Sequence, residues 1–443
     1  MRASLSDLRN SAKNKKIICY GAGVNAQHML DNEKFSEFLP QVSFFVDMDS
    51  KKTGTYIKTN ELQFEIFNVD ALKNTPSEIV VVITLSDYLS TGKMLDSLNI
   101  EWYAWTIIST DFDFTQFRAE DEKPRIFLLN TPDYMNLGDQ AIAFAEQIYI
   151  TENFGEFYEI GSHMCHPDAL TELSKCIKKN DILMFQGGGN LGSLWRFCEE
   201  ILRDILIKFP ENLVVVFPQS VFYGDSEEEK EYFEKSQRIY NAHKHLVICT
   251  RDKQSYDFVT NSYNCKCLLL PDIVLTLKYS ESNKQRQGIG IVLRNDKEQY
   301  ISDEYHKDIY DVSSLLEQEV KTITHLPADE NITRSDRIKS ILDLYSSQRL
   351  IITDRLHGMV FSAITNTPCV VFDNSYGKTS ELYETWLKDV SCITFTDVIE
   401  KGDLAQLLKS KLNVDYLKLD TGKFLDEFKM LTEIIIEESD YVV

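Results

Sequence analysis

Arg355 and His357 stand two residues apart in Asp354-Arg355-Leu356-His357-Gly358, directly after the apolar run Leu350 to Thr353. Arginine presents a planar set of donors that matches carboxylate or phosphate, and histidine exchanges protons near neutral pH. A second arginine, Arg251, follows the apolar run Leu246 to Cys249 in the same way. Arg294 follows Ile289 to Leu293, and Lys378 follows Asp373-Asn374-Ser375-Tyr376-Gly377. Together these residues could hold an anionic substrate and pass it a proton. The alternative for the Arg355 turn is a salt-bridged helix start with a satisfied histidine.

The elements around these residues decide between the two. Leu350 to Thr353 reads as a buried strand, the segment from Met359 to Ile364 as helix, and Cys369 to Phe372 as a second strand after Pro368. In open α/β sheets, ligands bind outside the carboxyl ends of strands, where this turn would lie. Two further stretches have the same design. The first is Arg125 to Leu129, then Asn136-Leu137-Gly138-Asp139-Gln140-Ala141-Ile142, with a helix expected near Asp139 and Asp139 a candidate N-cap. The second is Asp181 to Gln186, then Gly187-Gly188-Gly189-Asn190-Leu191-Gly192. Four glycines in six residues let the backbone approach a ligand closely, and a helix start is expected right after them. Further strands are expected at Leu213 to Phe217, ended by Pro218-Gln219-Ser220, and at Cys267 to Leu270, stopped by Pro271-Asp272. Glu227 to His243 reads as a charged helix, and strand Lys321 to His325 and helix Ser302 to Glu319 complete a third unit that starts at Gly288.

The amino-terminal part repeats the strand–glycine–helix order independently. Lys16 to Tyr20 leads into Gly21-Ala22-Gly23-Val24-Asn25-Ala26, which fits the dinucleotide fingerprint G-x-G-x-x-A. Strand Val42 to Val46 ends in Asp47, the place where Rossmann folds hold ribose hydroxyls, and Ile79 to Leu85 ends in Ser86-Asp87. Gly21, Gly23 and Asp47 are therefore candidates for nucleotide or sugar-nucleotide binding. The segment also resembles small Rossmann-like domains attached to bacterial sugar-modifying enzymes, through Phe45-Val46-Asp47 and Lys52-Thr53-Gly54.

Length and charge bound the rest. A chain of 443 residues exceeds one ordinary core, and 43% hydrophobic residues describe a globular protein. The expected division is 1–118, 124–280, 286–400 and a helical tail at 401–443, with Asp111 to Lys123 as linker. A net charge of −22 argues against nucleic acid or anionic lipid as the main partner. Nine scattered cysteines read as buried free thiols, and Cys265-Lys266-Cys267 lacks zinc-ligand spacing, so no metal is expected. His163, His166, His243, His245, His306 and His325 read as structural or surface residues. The polar start and the lack of a long apolar run predict a cytoplasmic protein without a transmembrane segment.

Taken as an ordered set, Asn136 to Ile142, Gly187 to Gly192, Arg251-Asp252, Leu293-Arg294-Asn295-Asp296-Lys297-Glu298 and Arg355 to Gly358 resemble the polysaccharide pyruvyl transferase family. The resemblance covers about 125–395. It implies an α/β fold of two facing Rossmann-like domains (GT-B-like), here preceded by the small amino-terminal Rossmann-like domain. It also implies transfer of the pyruvyl group of phosphoenolpyruvate to a sugar as a ketal, with phosphate released and no further cofactor required. Within that reading Arg251, Arg355, Arg294 and Lys378 bind the donor, and His357 is the general acid. A bound trianion would favour its imidazolium form. Asp139 orients or deprotonates the acceptor hydroxyl, while Asn136, Gly138, Gly187, Gly188, Gly189 and Asn190 line the acceptor or backbone loop. The acceptor is expected to be a lipid-linked or nucleotide-linked precursor of a surface or capsular glycan, met at the inner face of the membrane by peripheral association. Two other classes remain open from the residues alone: a GT-B glycosyltransferase using a sugar nucleotide, and a non-catalytic protein that senses a nucleotide through its amino-terminal domain. A dehydrogenase is less well supported, because no hydride-transfer site accompanies the fingerprint.

Overall fold

Short runs of Val, Ile, Leu and Phe, closed by Gly, Pro or Asp, form eighteen strands among the described residues. The computed structural model describes residues 5–59, 61–74, 78–85, 88–109, 114–118, 123–280, 285–296, 298–316, 318–324, 332–412 and 418–439. Ser86-Asp87, Lys297, His325 and most of the expected linker lie outside these residues. Two units divide the chain: Met1–Arg118 with His166–Lys175, and Ala119–Cys165 with Cys176–Val443. The helix Pro167–Leu173, expected within 124–280, therefore groups with the first unit.

In the first unit β1 (Lys16–Tyr20), β2 (Val42–Asp47), β3 (Tyr56–Lys58), β4 (Gln63–Asn68), β5 (Ile79–Ile83) and β6 (Trp102–Ala104) lie in the order β3-β4-β2-β1-β5-β6. Only β3 runs antiparallel to its neighbour. The β5 sequence Ile-Val-Val-Val-Ile is buried at every position, as a parallel strand covered on both faces must be. Ile17, Cys19, Phe45, Val80 and Val82 carry this core to the helix Val24–Leu30 and to Phe35 and Phe38.

The second unit holds two parallel sheets. The first contains β7 (Ile126–Thr131), β8 (Tyr158–Gly161), β9 (Ile182–Phe185), β10 (Gly188–Gly192), β11 (Leu213–Phe222), β12 (Leu246–Thr250) and β13 (Lys266–Leu269). They are ordered β13-β12-β11-β9-β7-β8, with β10 also on β11. The second contains β14 (Ile289–Val292), β15 (Val320–Thr322), β16 (Leu350–Thr353), β17 (Cys369–Val371) and β18 (Ile393–Phe395), ordered β15-β14-β16-β17-β18. One apolar core joins the helices of both halves, from Ile142 and Tyr149 to Met359, Val360 and Phe361.

Two expectations are corrected here. Gly188–Gly192 does not open a helix; it is a strand, and the next helix, Arg196–Lys208, starts after Trp195. The reason is β11, which runs on through Pro218 to Phe222 and offers a pairing edge for Gly188, Leu191 and Gly192. Pro218 is tolerated because the ladder to β12 shifts register between Val216 and Gln219. The third-unit helix is also shorter than expected, Asp303–Ser314, and its strand β15 ends at Thr322.

The carboxy-terminal helices Gly422–Glu427 and Lys429–Glu438 return to the first sheet's helices. Phe424, Phe428, Leu431 and Ile435 are at most 2% exposed there, each burial being worth about 1.5–3 kcal/mol. The Tyr149 hydroxyl meets Thr432 Oγ1 at 2.8 Å, and Lys266 pairs with Glu438 at 2.8 Å. The tail thus clasps the half of the second unit that precedes it by more than a hundred residues.

Candidate active site

The carboxyl ends of β12, β14 and β16 deliver Arg251, Arg294 and Arg355, and β17 is followed by the turn that carries Lys378. Arg355 caps the helix Leu356–Ile364, its backbone N–H donating to Thr353 Oγ1 at 3.0 Å. Its half-buried guanidinium has neither hydrogen bond nor ion pair among the described residues. Burial, and then the neighbouring Arg294, push its pKa below the usual arginine value. An unpaired, desolvated cation beside a second cation is an anion site in waiting.

Its neighbour Arg294 is held. Nε donates to Asp296 Oδ1 at 2.9 Å, and Nη2 reaches Glu298 Oε2 at 3.0 Å. Glu298 also pairs with Lys378 Nζ at 2.5 Å and accepts from the Trp195 indole at 3.3 Å. Burial lowers the Lys378 pKa to about 8, against the opposing pull of Glu298 and with help from Arg294 and Arg251. Asp354, wholly buried after β16, accepts from the Arg294 backbone N–H at 2.9 Å and so ties the ends of the two strands together.

Arg251 is only 2% exposed. Nε donates to Ser220 Oγ at 2.9 Å and Nη1 to Asp272 Oδ2 at 2.8 Å. Its remaining amino group, Nη2, faces Gly189: a Cβ placed on that glycine would lie 3.5 Å from it, 3.8 Å from Lys378 Nζ and 3.8 Å from the Tyr376 hydroxyl. Gly189 thus gives open backbone opposite two cations and a phenol. Gly187 donates its N–H to Glu146 Oε1 at 2.7 Å, and Gly188 takes φ +127°. Asn190 spends its side chain on the Gly187 carbonyl at 3.1 Å, closing the loop. Buried Glu146 is driven well above the ordinary carboxyl range by desolvation, with the Gly187 N–H opposing the shift.

His357 reaches across from the second half to the first. Its Nε2 is 3.5 Å from Asp272 Oδ2, and a Cβ on Gly138 would lie 2.3 Å from its Nδ1. Only glycine fits at position 138. Asn136, not Asp139, is the N-cap of the helix Leu137–Phe154, its side chain accepting from Gly138 N at 3.0 Å. That correction frees the Asp139 carboxylate. Burial raises its pKa, opposed by His357, Tyr134, Lys378 and Arg251, which places it in the charge field of the same cluster.

Asp272 carries no motif and reads in the sequence only as a strand stop after Pro271. Its proximity to a pocket histidine comes from the packing of one half on the other, which no local pattern reports. Asp272 is held far below the usual carboxyl range: burial opposes this, and His357 and Arg251 outweigh it.

The first unit's candidates are arranged differently. Asp47 accepts from Ala22 N at 2.8 Å, from Asp49 N at 2.9 Å and from Lys52 Nζ at 2.8 Å. Its carboxylate therefore fastens the Gly21–Gly23 turn to the end of β2. Gly21 takes φ +99°, and Gly23 opens onto a cavity of about 250 Å³ lined by Val24, Asn25, Thr84 and Leu85.

Among the described residues no helix is long and apolar enough to cross a membrane. A family model described as polysaccharide pyruvyl transferase matches residues 136–376, a span that carries Asp139, Arg251, Asp272, Arg294, Arg355 and His357 and ends two residues before Lys378. The chain is 34% identical over 308 residues to General stress protein 30 of Bacillus subtilis, covering 68% of this chain and 90% of that protein. It is 26% identical over 317 residues to Pyruvyl transferase 1 of Schizosaccharomyces pombe, covering 65% of this chain and 76% of that protein.

Proposed function

Because the chain belongs to the polysaccharide pyruvyl transferase family, we propose that it transfers the pyruvyl group of phosphoenolpyruvate to a sugar of a glycan precursor, forming a ketal and releasing phosphate. The observation that carries this reading is Arg355: half-buried, unpaired among the described residues, and set beside Arg294 in a chain of net charge −22. Desolvated positive charge of this kind is stabilised by a bound anion, and the donor brings both a phosphate and a carboxylate.

Arg355, the free edge of Arg251 and Lys378 hold those two groups. A sugar hydroxyl attacks the donor's central carbon while His357 protonates the methylene carbon, which becomes the ketal methyl group. Asp139 takes the hydroxyl proton; burial, which raises its pKa above the ordinary carboxyl value, makes it a stronger base than an exposed carboxylate. The bond from the central carbon to the phosphate oxygen then breaks, its electron pair leaving with phosphate. A second hydroxyl closes on the same carbon and gives its proton to the departing phosphate. The open backbone at Gly189 leaves room for the acceptor. The acceptor in this proposal is a lipid-linked or nucleotide-linked precursor on the cytoplasmic side.

The test is phosphate release by the purified protein. It is expected only when phosphoenolpyruvate and an acceptor glycan are both present. Turnover of UDP- or GDP-sugars, with phosphoenolpyruvate inert across the acceptors, would overturn the reading.

A further inference from the structure

We infer that Trp195 is the platform on which the acceptor sugar stacks, and that the site takes a pyranose through its apolar C–H face. The inference rests on the pyruvyl-transfer reading for what the sugar receives, and on the surroundings of Trp195 for where the sugar lies.

Trp195 is 42% exposed, whereas Trp102 and Trp105 are buried and Trp386 packs against the core. An indole left in water forgoes the apolar burial that makes tryptophan valuable to a fold. Its position is nevertheless fixed. Before it, Ser193 N donates to the Phe222 carbonyl at 2.8 Å and Ser193 Oγ to Glu229 Oε1 at 2.8 Å. After it, Cys198 N donates to the Trp195 carbonyl at 3.0 Å as the helix Arg196–Lys208 begins. The indole Nε1 itself donates to Glu298 Oε1 at 3.3 Å. A ring tied down at its polar edge has little rotamer freedom left to lose when a ligand covers its face.

The tether says what the ring adjoins. Glu298 is only 2% exposed, and its other oxygen, Oε2, takes Arg294 Nη2 and Lys378 Nζ. One carboxylate therefore separates the indole from both cations. A second aromatic, Tyr134, is 43% exposed. Desolvation of its hydroxyl end, followed by the charges of Asp139 and Cys198, raises the phenol's pKa. Cys198 lies one helical turn beyond Trp195. Two half-exposed rings thus border the cluster, one beside the candidate base and one beside the cations.

A pyranose carries C–H bonds on its faces and hydroxyls around its rim. Stacked on an indole, it covers the C–H face and leaves the rim free to react. The reacting group of the acceptor is a sugar hydroxyl, and the ring adjoins cations that hold the donor. The sugar itself, not a remote part of its precursor, is what reaches Trp195.

The test uses the whole protein labelled with 5-fluorotryptophan, with methyl α- and β-pyranosides of glucose, galactose, mannose and N-acetylglucosamine as probes. Four tryptophans give four fluorine resonances, and Trp195→Phe identifies the one from Trp195. At about 50 mM, at least one pyranoside is expected to move that resonance and leave those of Trp102 and Trp105 in place, as suits a millimolar site. With a pyranoside that supports phosphate release, Trp195→Ala should raise the acceptor KM about tenfold, and Trp195→Phe, which keeps a ring face without the N–H, should restore most of that loss. The KM for phosphoenolpyruvate should stay within about threefold in both, since Glu298 keeps Arg294 and Lys378. A residue that only braced Glu298 would behave the other way: Trp195→Phe would fail like Trp195→Ala, and the donor KM would move. That pattern, or a Trp195 resonance unmoved by every pyranoside, overturns the inference and leaves the transfer reading to stand on phosphate release. A moved resonance in a protein that releases no phosphate with any acceptor supports the sugar platform and sinks the transfer reading instead.

Discussion

The chain contains two glycine stretches that follow buried parallel strands, and they end up in different surroundings. At Gly21-Ala22-Gly23 the nearest carboxylate, Asp47, is consumed in holding the turn, taking Ala22 N, Asp49 N and Lys52. In the stretch Gly187 to Gly192 it is Gly189 whose backbone faces Arg251 Nη2, Lys378 and Tyr376, contributed by another strand end and by the other half of the unit. A glycine loop is thus a permission for close approach. The chemistry is set by what the fold brings opposite to it.

The contrast breaks most sharply at the cations. Arg355→Ala and His357→Ala should each cut kcat/KM for phosphate release by 100-fold or more, on the order of 3 kcal/mol of transition-state stabilisation. Asp47→Ala should leave phosphate release within about twofold while lowering stability by roughly 1–2 kcal/mol through the turn it fastens. Equal losses of turnover from the two sites would erase the distinction.

A smaller effect separates two glycines. Gly138→Ala drives a methyl into the His357 ring and should cost about 1–3 kcal/mol of stability and most of the turnover. Gly23→Ala meets nothing within 4 Å and should leave turnover unchanged and the melting temperature within a degree or two. Differential scanning fluorimetry with the phosphate assay reads both.

The smallest effect is a pH limb belonging only to the second loop. Lys378 titrates at about 8 in the folded protein, below its ordinary value of 10.5. As pH rises through about 8 it loses the charge that faces the donor, so the KM for phosphoenolpyruvate should rise. Stability should move oppositely: between pH 8 and 10.5 the unfolded chain binds the extra proton, so this group's contribution grows with pH. Lys378→Arg should abolish the KM limb, because arginine stays charged. A KM limb that persists in Lys378→Arg would assign it to another group.

The strands, the glycine turns, and Arg251, Arg294 and Arg355 at their carboxyl ends were legible in the chain, because parallel strands are continuous apolar runs and punctuation marks their ends. The set of motifs was enough to point to the family. Local sequence misread Gly188–Gly192 as a loop before a helix, since glycines carry no strand signal and pairing with an overlong β11 decides the matter. It also made Asp139 a candidate cap, which Asn136 turned out to be.

What sequence alone determined here is which residue types stand at which strand ends, a consequence of period and punctuation that operate over a few residues. Tertiary structure decided their partners: that Arg294 is tied up by Asp296 and Glu298 while Arg355 is unpaired among the described residues, and that Asp272 meets both Arg251 and His357. The physical reason is range. Hydrophobic patterning is written into neighbours along the chain, whereas the pairing of buried charges depends on which distant segments the common core presses together.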